Sequence, residues 1–293
     1  MLKQTVKSED KNCTLITYLK ALLRHAPPAY LRQLIRSGKI KLNGARAQEE
    51  QHLQAGDVVS LPASQRMTAL LAAEKRAPRI LYESDEILIV HKPANLATHS
   101  SKNHEQNNLV NSVSQEMRAA GKKYKIAAIH RLDLPTSGPI IFGKGQKAIS
   151  TLGKMMQDNR ISKKYLALVR GGLPTKGILS SHIASKGKIK HAETTYAVRA
   201  DNSDFALIEL ELQTGRQHQI RKQLAERGFP IAGDIRYRGP RCHNLERLFL
   251  HCHFLEFFNP FTDQKITIED PLPLPLADVL SSLGLVCNSD HLH

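Results

Sequence analysis

The chain of 293 residues contains no tryptophan and four cysteines, and aromatic residues make up only 5% of it. Cys13, Cys242, Cys252 and Cys287 are scattered, with no CxxC pair among them. That spacing argues against a structural zinc site and against the disulfide framework of a small secreted protein. No apolar run approaches the roughly 18 residues that a bilayer-spanning helix needs. The opening MLKQTVKSEDKNC lacks the apolar segment of a secretion signal. These absences lead us to expect a cytoplasmic protein without membrane association. Acidic residues are also few, 27 against 42 lysines and arginines, which leaves a net charge of +15. Such a surplus points to a polyanionic partner, nucleic acid first, and is silent about chemistry. With 41% hydrophobic and 24% charged residues the chain is neither disordered nor a membrane protein. At this length it can bury a large core without metal or disulfide staples.

Two parts can be separated. Within residues 1–62, Leu15, Ile16, Tyr18, Leu19, Leu22 and Leu23 recur at helical spacing. YLRQLIRSG predicts a second helix with Leu31, Leu34 and Ile35 on one side and Gly38 at its C-cap. KIKLNG then alternates like a strand ending in an Asn-Gly turn, and DVVSLP predicts a further strand. This part holds ten lysines and arginines against five acidic residues, with Arg32, Arg36, Lys39 and Lys41 gathered around the second helix and its strand. Residues 63–79 are polar, alanine-rich and include Pro78, the pattern of a linker with some helix. Residues 80–293 are strand-rich. ILYESDEILIVHKP predicts two strands about a tight turn, and FALIELELQ one strand with its glutamates outward. Helices are expected near 146–159, 217–227 and 276–283. Strands that follow one another without intervening helices predict an α+β fold with a mixed or antiparallel sheet.

Some motifs mislead. Gly138 to Gly145 nearly spells a phosphate-binding loop, but Gly145 stands where a hydroxyl residue would hold magnesium. The dinucleotide-binding fingerprint fails over the same stretch, because its third glycine falls at Ala148 and no acidic residue follows at the expected distance. His251-Cys252-His253 alternates across a strand, so the three cannot share one ion, and surface or edge-strand histidines are expected.

Three segments carry chemistry. HRLDLPTSG places Asp133 in a tight loop where backbone N–H groups and hydroxyls can hold a carboxylate. TGRQHQIRKQL turns from a strand into a helix and gathers Arg216, His218, Gln219 and Arg221 into a donor cluster. His218 and Arg221 lie one turn apart on one face. Such a cluster can neutralise a phosphate, and one guanidinium can pair with the aspartate. ISKKYLALVRG sets Tyr165 on a strand, and a tyrosine can stack on an extracted base.

The N-terminal pattern, LRQLIRSGKIKLNG followed by AGDVVSLP, resembles the small RNA-binding module first seen in a protein of the small ribosomal subunit. That resemblance implies RNA contacts at Arg32, Arg36, Lys39 and Lys41. The blocks HKPANLATHS, HRLDLPTSG, ISKKYLALVRG and TGRQHQIR, in that order, resemble the RluA-type pseudouridine synthase family. The resemblance implies a pseudouridine synthase fold with an RNA cleft across its sheet and the isomerisation of uridine to pseudouridine without a cofactor or metal. It makes Asp133 the catalytic aspartate, Tyr165 the tyrosine beside the target base and Arg221 the partner of the aspartate. RNA contacts are expected from His130, Arg131, Thr136, Lys164, Arg216, His218 and Gln219. A monomer acting on large-subunit ribosomal RNA is the favoured expectation, with transfer RNA as the alternative. Asn95, Ser100 and Leu134 depart from the family pattern, and Asn95 can still take the positive φ of the turn. Two other classes compete. A non-catalytic RNA-binding protein would not need Asp133, Tyr165 and Arg221 intact, and a metal-dependent nuclease would need clustered carboxylates, whereas Asp133 and Asp234 are isolated in the sequence.

Overall fold

A computed structural model describes residues 1–23, 26–76, 78–100, 107–185, 187–242 and 244–285. Cys287 lies outside the described residues; Cys13, Cys242 and Cys252 carry free thiols. The chain divides into two compact units, Met1–Ala77 and Pro78–His293.

The first unit runs β1 (Leu2–Thr5), α1 (Leu15–Leu22), α2 (Pro28–Arg36), β2 (Lys41–Leu42), β3 (Ala45–Arg46), β4 (Val58–Leu61) and α3 (Gln65–Arg76). Thr14 caps α1, its hydroxyl accepting from Thr17 N, and Pro28 opens α2 where a missing N–H costs nothing. Asn43 and Gly44 take φ of 50° and 83°, the left-handed pair that a two-residue hairpin turn requires. The antiparallel sheet, ordered β1-β4-β2-β3, packs its apolar side against α1 and α2 around Leu15, Leu19, Leu31, Ile35 and Leu61. The stretch expected as a linker is largely α3. Met67 is fully buried in this core, and the Arg66 guanidinium lies 4.0 Å from the centre of the Tyr30 ring.

The second unit runs β5 (Arg79–Glu83), β6 (Ile87–Lys92), α4 (Leu109–Ala119), β7 (Ile126–Ala128), β8 (Gly138–Lys144), α5 (Gln146–Gln157) and β9 (Ser162–Arg170). It continues with β10 (Lys176–Ser185), β11 (Lys188–Asp201), β12 (Phe205–Leu212), α6 (Gln219–Glu226), β13 (Leu250–Phe258), β14 (Lys265–Glu269) and α7 (Leu274–Ser282). The α+β expectation holds. The strands form two sheets, β10-β11-β12-β9-β13-β14 and β5-β6-β8-β7, in which every ladder is antiparallel. The sheets meet where Ser137 bridges His251. There Gly138 has φ of 138°, and a Cβ on it would lie 2.4 Å from the Cys252 carbonyl oxygen. Only glycine fits that approach. The phosphate-loop look-alike is therefore strand β8.

Two expectations fail. Glu209 of β12 is buried, not outward, because Arg199 and His253 meet its carboxylate and carry its pKa down to about 2 against the opposing cost of burial. His251 and His253 lie buried on β13, an interior strand between β9 and β14, not at an edge. Burial pushes His251 down to about 4 and so keeps it neutral. Its Nε2 donates to the Asp270 carbonyl at 2.8 Å, which leaves Nδ1 to accept from the Ser137 hydroxyl at 2.9 Å. Helix α4 is not foreseen from the sequence. Its buried Leu109, Val113 and Met117 are helically spaced, but they are thinly set among polar residues.

Candidate active site

A cavity of about 650 Å³ opens beside the loop that joins β7 to β8. The loop is held from several sides. Thr98 Oγ1 donates to the Leu132 carbonyl and accepts from its N–H, at 3.2 and 3.3 Å. His130 Nε2 accepts from Ile141 N at 3.1 Å, and burial holds this ring well below its ordinary pKa. Asn95 takes φ of 63° and donates its N–H to the Leu134 carbonyl. Beneath the loop Lys92 is fully buried, its Nζ donating to the carbonyls of Pro93, Leu96 and Leu134 at 2.9, 2.8 and 3.2 Å. Burial, with Arg247 nearby, brings its pKa down to about 7. Nothing in the sequence singles out Lys92, because Lys-Pro entering a turn looks like a surface feature.

Asp133 sits on this loop facing α6. Its Oδ2 lies 3.5 Å from Arg221 Nη1 and its Oδ1 3.8 Å from His218 Nε2. Arg221 in turn makes a bidentate pair with Asp234, Nε to Oδ2 at 2.7 Å and Nη2 to Oδ1 at 2.8 Å. Asp234 is 1% exposed. One guanidinium thus bridges the two carboxylates, and Asp234 is not isolated as its sequence position suggested. Burial opposes the charge on Arg221, but the Asp234 bonds outweigh it and raise the pKa above its ordinary value. His218 adopts a left-handed φ of 54° at the start of α6, and its Nδ1 lies 3.3 Å from the Tyr237 hydroxyl. Burial lowers its pKa despite the pull of Asp133, which favours the neutral ring.

Tyr165 lies on the same cavity wall, its pKa driven well above the ordinary value by burial and by the adjoining Cys252. Thr136 also lines the cavity, and its Oγ1 is buried with no partner among the described residues.

The structure therefore brings together His130, Arg131, Asp133, Thr136, Tyr165, Arg216, His218, Gln219 and Arg221 around one cavity. Two of the residues expected to contact RNA are placed differently from the rest. Lys164 turns away from the cavity and stands 4.9 Å from the centre of the Phe254 ring, since neighbouring residues of a strand alternate. Gln219 is occupied within the protein. Its Nε2 donates to the Glu193 carbonyl and Thr194 Oγ1, and its Oε1 accepts from Thr214 Oγ1 and Arg216 N. It pins the strand-to-helix turn instead of reaching outward. Arg32, Arg36, Lys39 and Lys41 belong to the first unit, all exposed; Arg32 and Arg36 each pair with Glu49 at 3.2 Å.

The fold is that of the pseudouridine synthases. The human protein named RNA Pseudouridylate Synthase Domain Containing 4 superposes with a TM-score of 0.60 at 20% identity, over 75% of this chain and 98% of that one. The sequence narrows the assignment. Residues 86–226 match the family described as RNA pseudouridylate synthase. The RNA pseudouridine synthase YhcT of Bacillus subtilis is 30% identical across 90% of this chain and 91% of its own. Ribosomal large subunit pseudouridine synthase C of Escherichia coli is 29% identical across 95% of each. This chain belongs to the RNA pseudouridine synthase family, isomerases that act on RNA.

Proposed function

We propose that the protein isomerises specific uridines of large-subunit ribosomal RNA to pseudouridine, with Asp133 as its catalytic group. The observation that carries this reading is Asp133 itself, a carboxylate held 3.5 Å from Arg221 in a cavity walled on one side by Tyr165. The reaction breaks the bond from uracil N1 to C1′ of the ribose, turns the base, joins C5 to C1′, releases the proton from C5 to solvent and protonates N1. No group is added and nothing is oxidised, so the reading needs no cofactor. A base stacked in RNA must first be extracted, at a cost of a few kcal/mol, and stacking on Tyr165 offsets part of that cost. Arg221 supplies the counter-charge of Asp133, and Asp234 fixes where Arg221 stands. His218 kept neutral adds no second positive charge beside the carboxylate.

The choice of ribosomal RNA is supported by relatives that carry that substrate in their names and match nearly the whole chain. The test is pseudouridine mapping of RNA from cells lacking the gene. A uridine in large-subunit RNA that loses its modification and regains it on rescue supports the assignment. Loss confined to transfer RNA contradicts the substrate, and no loss in any RNA contradicts the function.

A further inference from the structure

We propose that Lys163 binds a backbone phosphate of the RNA next to the modified uridine, inside the same cavity. The inference rests on the RNA-isomerase reading for its ligand but concerns a residue that reading does not use.

Lys163 lies two residues before Tyr165 on β9, so both side chains leave the same face of the strand, and both line the cavity. It is 9% exposed. The other deeply placed cations of this unit all meet oxygen: Arg221 holds Asp234, Lys144 holds Glu83, and Lys92 donates to three carbonyls. Lys163 does not. Among the described residues its one hydrogen-bond contact is the Met156 thioether, Nζ to Sδ at 3.3 Å. An ammonium offers three donors, and a thioether is a weak acceptor for one. The adjacent Cys252 is no counter-ion, since burial pushes its thiol up to about 12. Burial also pulls the Lys163 pKa down, so an arriving anion would stabilise a charge that the cavity by itself disfavours.

The cavity extends past Asp133 to Met156, Gln157 and Asn159 around the end of α5, and Lys163 stands in that extension. An RNA strand that delivers one base to Tyr165 carries its phosphates alongside, and a lysine is a point-charge phosphate binder. The phosphate is favoured over a uracil carbonyl because only an anion matches an unpaired buried cation.

The test uses the full-length protein and a short single-stranded oligouridylate, with affinity measured across a salt series. Lys163→Met is expected to lower the slope of log K against log salt by about 0.7, the share of one phosphate on single-stranded RNA. Lys163→Arg should keep the slope. The thermal midpoint of unliganded Lys163→Met should not fall, because the substitution removes an unpaired buried charge; a structural lysine would show a drop. Replacing the oligomer's phosphates one at a time by uncharged methylphosphonates should weaken wild-type binding at one position where Lys163→Met is indifferent. An unchanged slope overturns the proposal, as does a variant that remains sensitive at every methylphosphonate position. Release of tritium from uridine labelled at C5 by the wild-type protein is the separate readout of the isomerase reading. Its absence alongside the slope change would remove the reaction and leave the phosphate site standing.

Discussion

In the proposed reading the smallest unit that governs turnover is the row Asp133–Arg221–Asp234, in which one guanidinium is fixed by the buried carboxylate and offered to the more exposed one. A bidentate pair sets the plane of the guanidinium as well as its place. Asp234→Asn keeps the shape but gives up the charge, so Arg221 should turn and turnover should fall about 10- to 100-fold. RNA affinity should change little. Steady-state turnover and filter binding on the same preparation check this, and wild-type turnover by the variant would contradict it. The sequence singled out Asp133, Tyr165 and Arg221, which line one cavity, because each sits in a dense and distinctive motif. It did not disclose Asp234, since nothing in GFPIAGDIRYRG shows that this loop folds against α6. Lys163 and Lys164 are adjacent and identical in type, and only the register of β9 tells which one enters the cavity.

At the scale of elements, the junction of the two sheets supports the loop that carries Asp133. Arg247 donates to Ser137 Oγ, Ser137 donates to His251, and His251 donates to the Asp270 carbonyl. This line of bonds runs from the loop before β8 through β13 to the residue that follows β14. Gly138→Ala should be strongly destabilising, because its Cβ would meet the Cys252 backbone at a position no side chain can yield. A thermal midpoint within a degree or two of wild type would contradict the close approach. The same junction sets a pH dependence. His251 has its folded pKa depressed from 6.5 to about 4, so its contribution is present above pH 6.5 and is lost as pH falls toward 4. That shift corresponds to on the order of 3 kcal/mol, and His130, depressed by burial too, acts in the same direction. Denaturant midpoints should fall across this window, before carboxylates such as Glu209 begin to protonate. A flat profile there would contradict the buried neutral ring. Strands and the longer amphipathic helices were legible from periodicity. The burial of His251, His253 and Glu209 was not, since polar residues on an interior strand look like an exposed face until their partners from distant segments are known.

At the scale of the molecule, the surplus of positive charge is divided between the two units. In the first, Lys39 and Lys41 are exposed and carry no ion pair among the described residues, whereas Arg32 and Arg36 share Glu49. Replacing both Lys39 and Lys41 by Gln should weaken RNA binding evenly across sequences and lower the salt slope by about 0.7 to 0.9 for each phosphate no longer neutralised. An unchanged slope would mean that this face does not meet RNA. Composition made the basic module legible, together with its Asn-Gly turn and the glycine that ends its second helix. It could not show that α3 belongs to that unit, because within a polar, alanine-rich stretch Met67 is the one fully buried anchor among the described side chains, with Leu70 and Leu71 half-buried.

The central claim is that one carboxylate performs the reaction, and Asp133→Asn tests it most directly. Large-subunit RNA carrying tritium at uridine C5 is incubated with the wild-type protein and with the variant, and RNA binding is measured in parallel. The account predicts tritium release by the wild type, none above background by Asp133→Asn, and comparable binding by both. Release by Asp133→Asn at a rate near that of the wild type would contradict it.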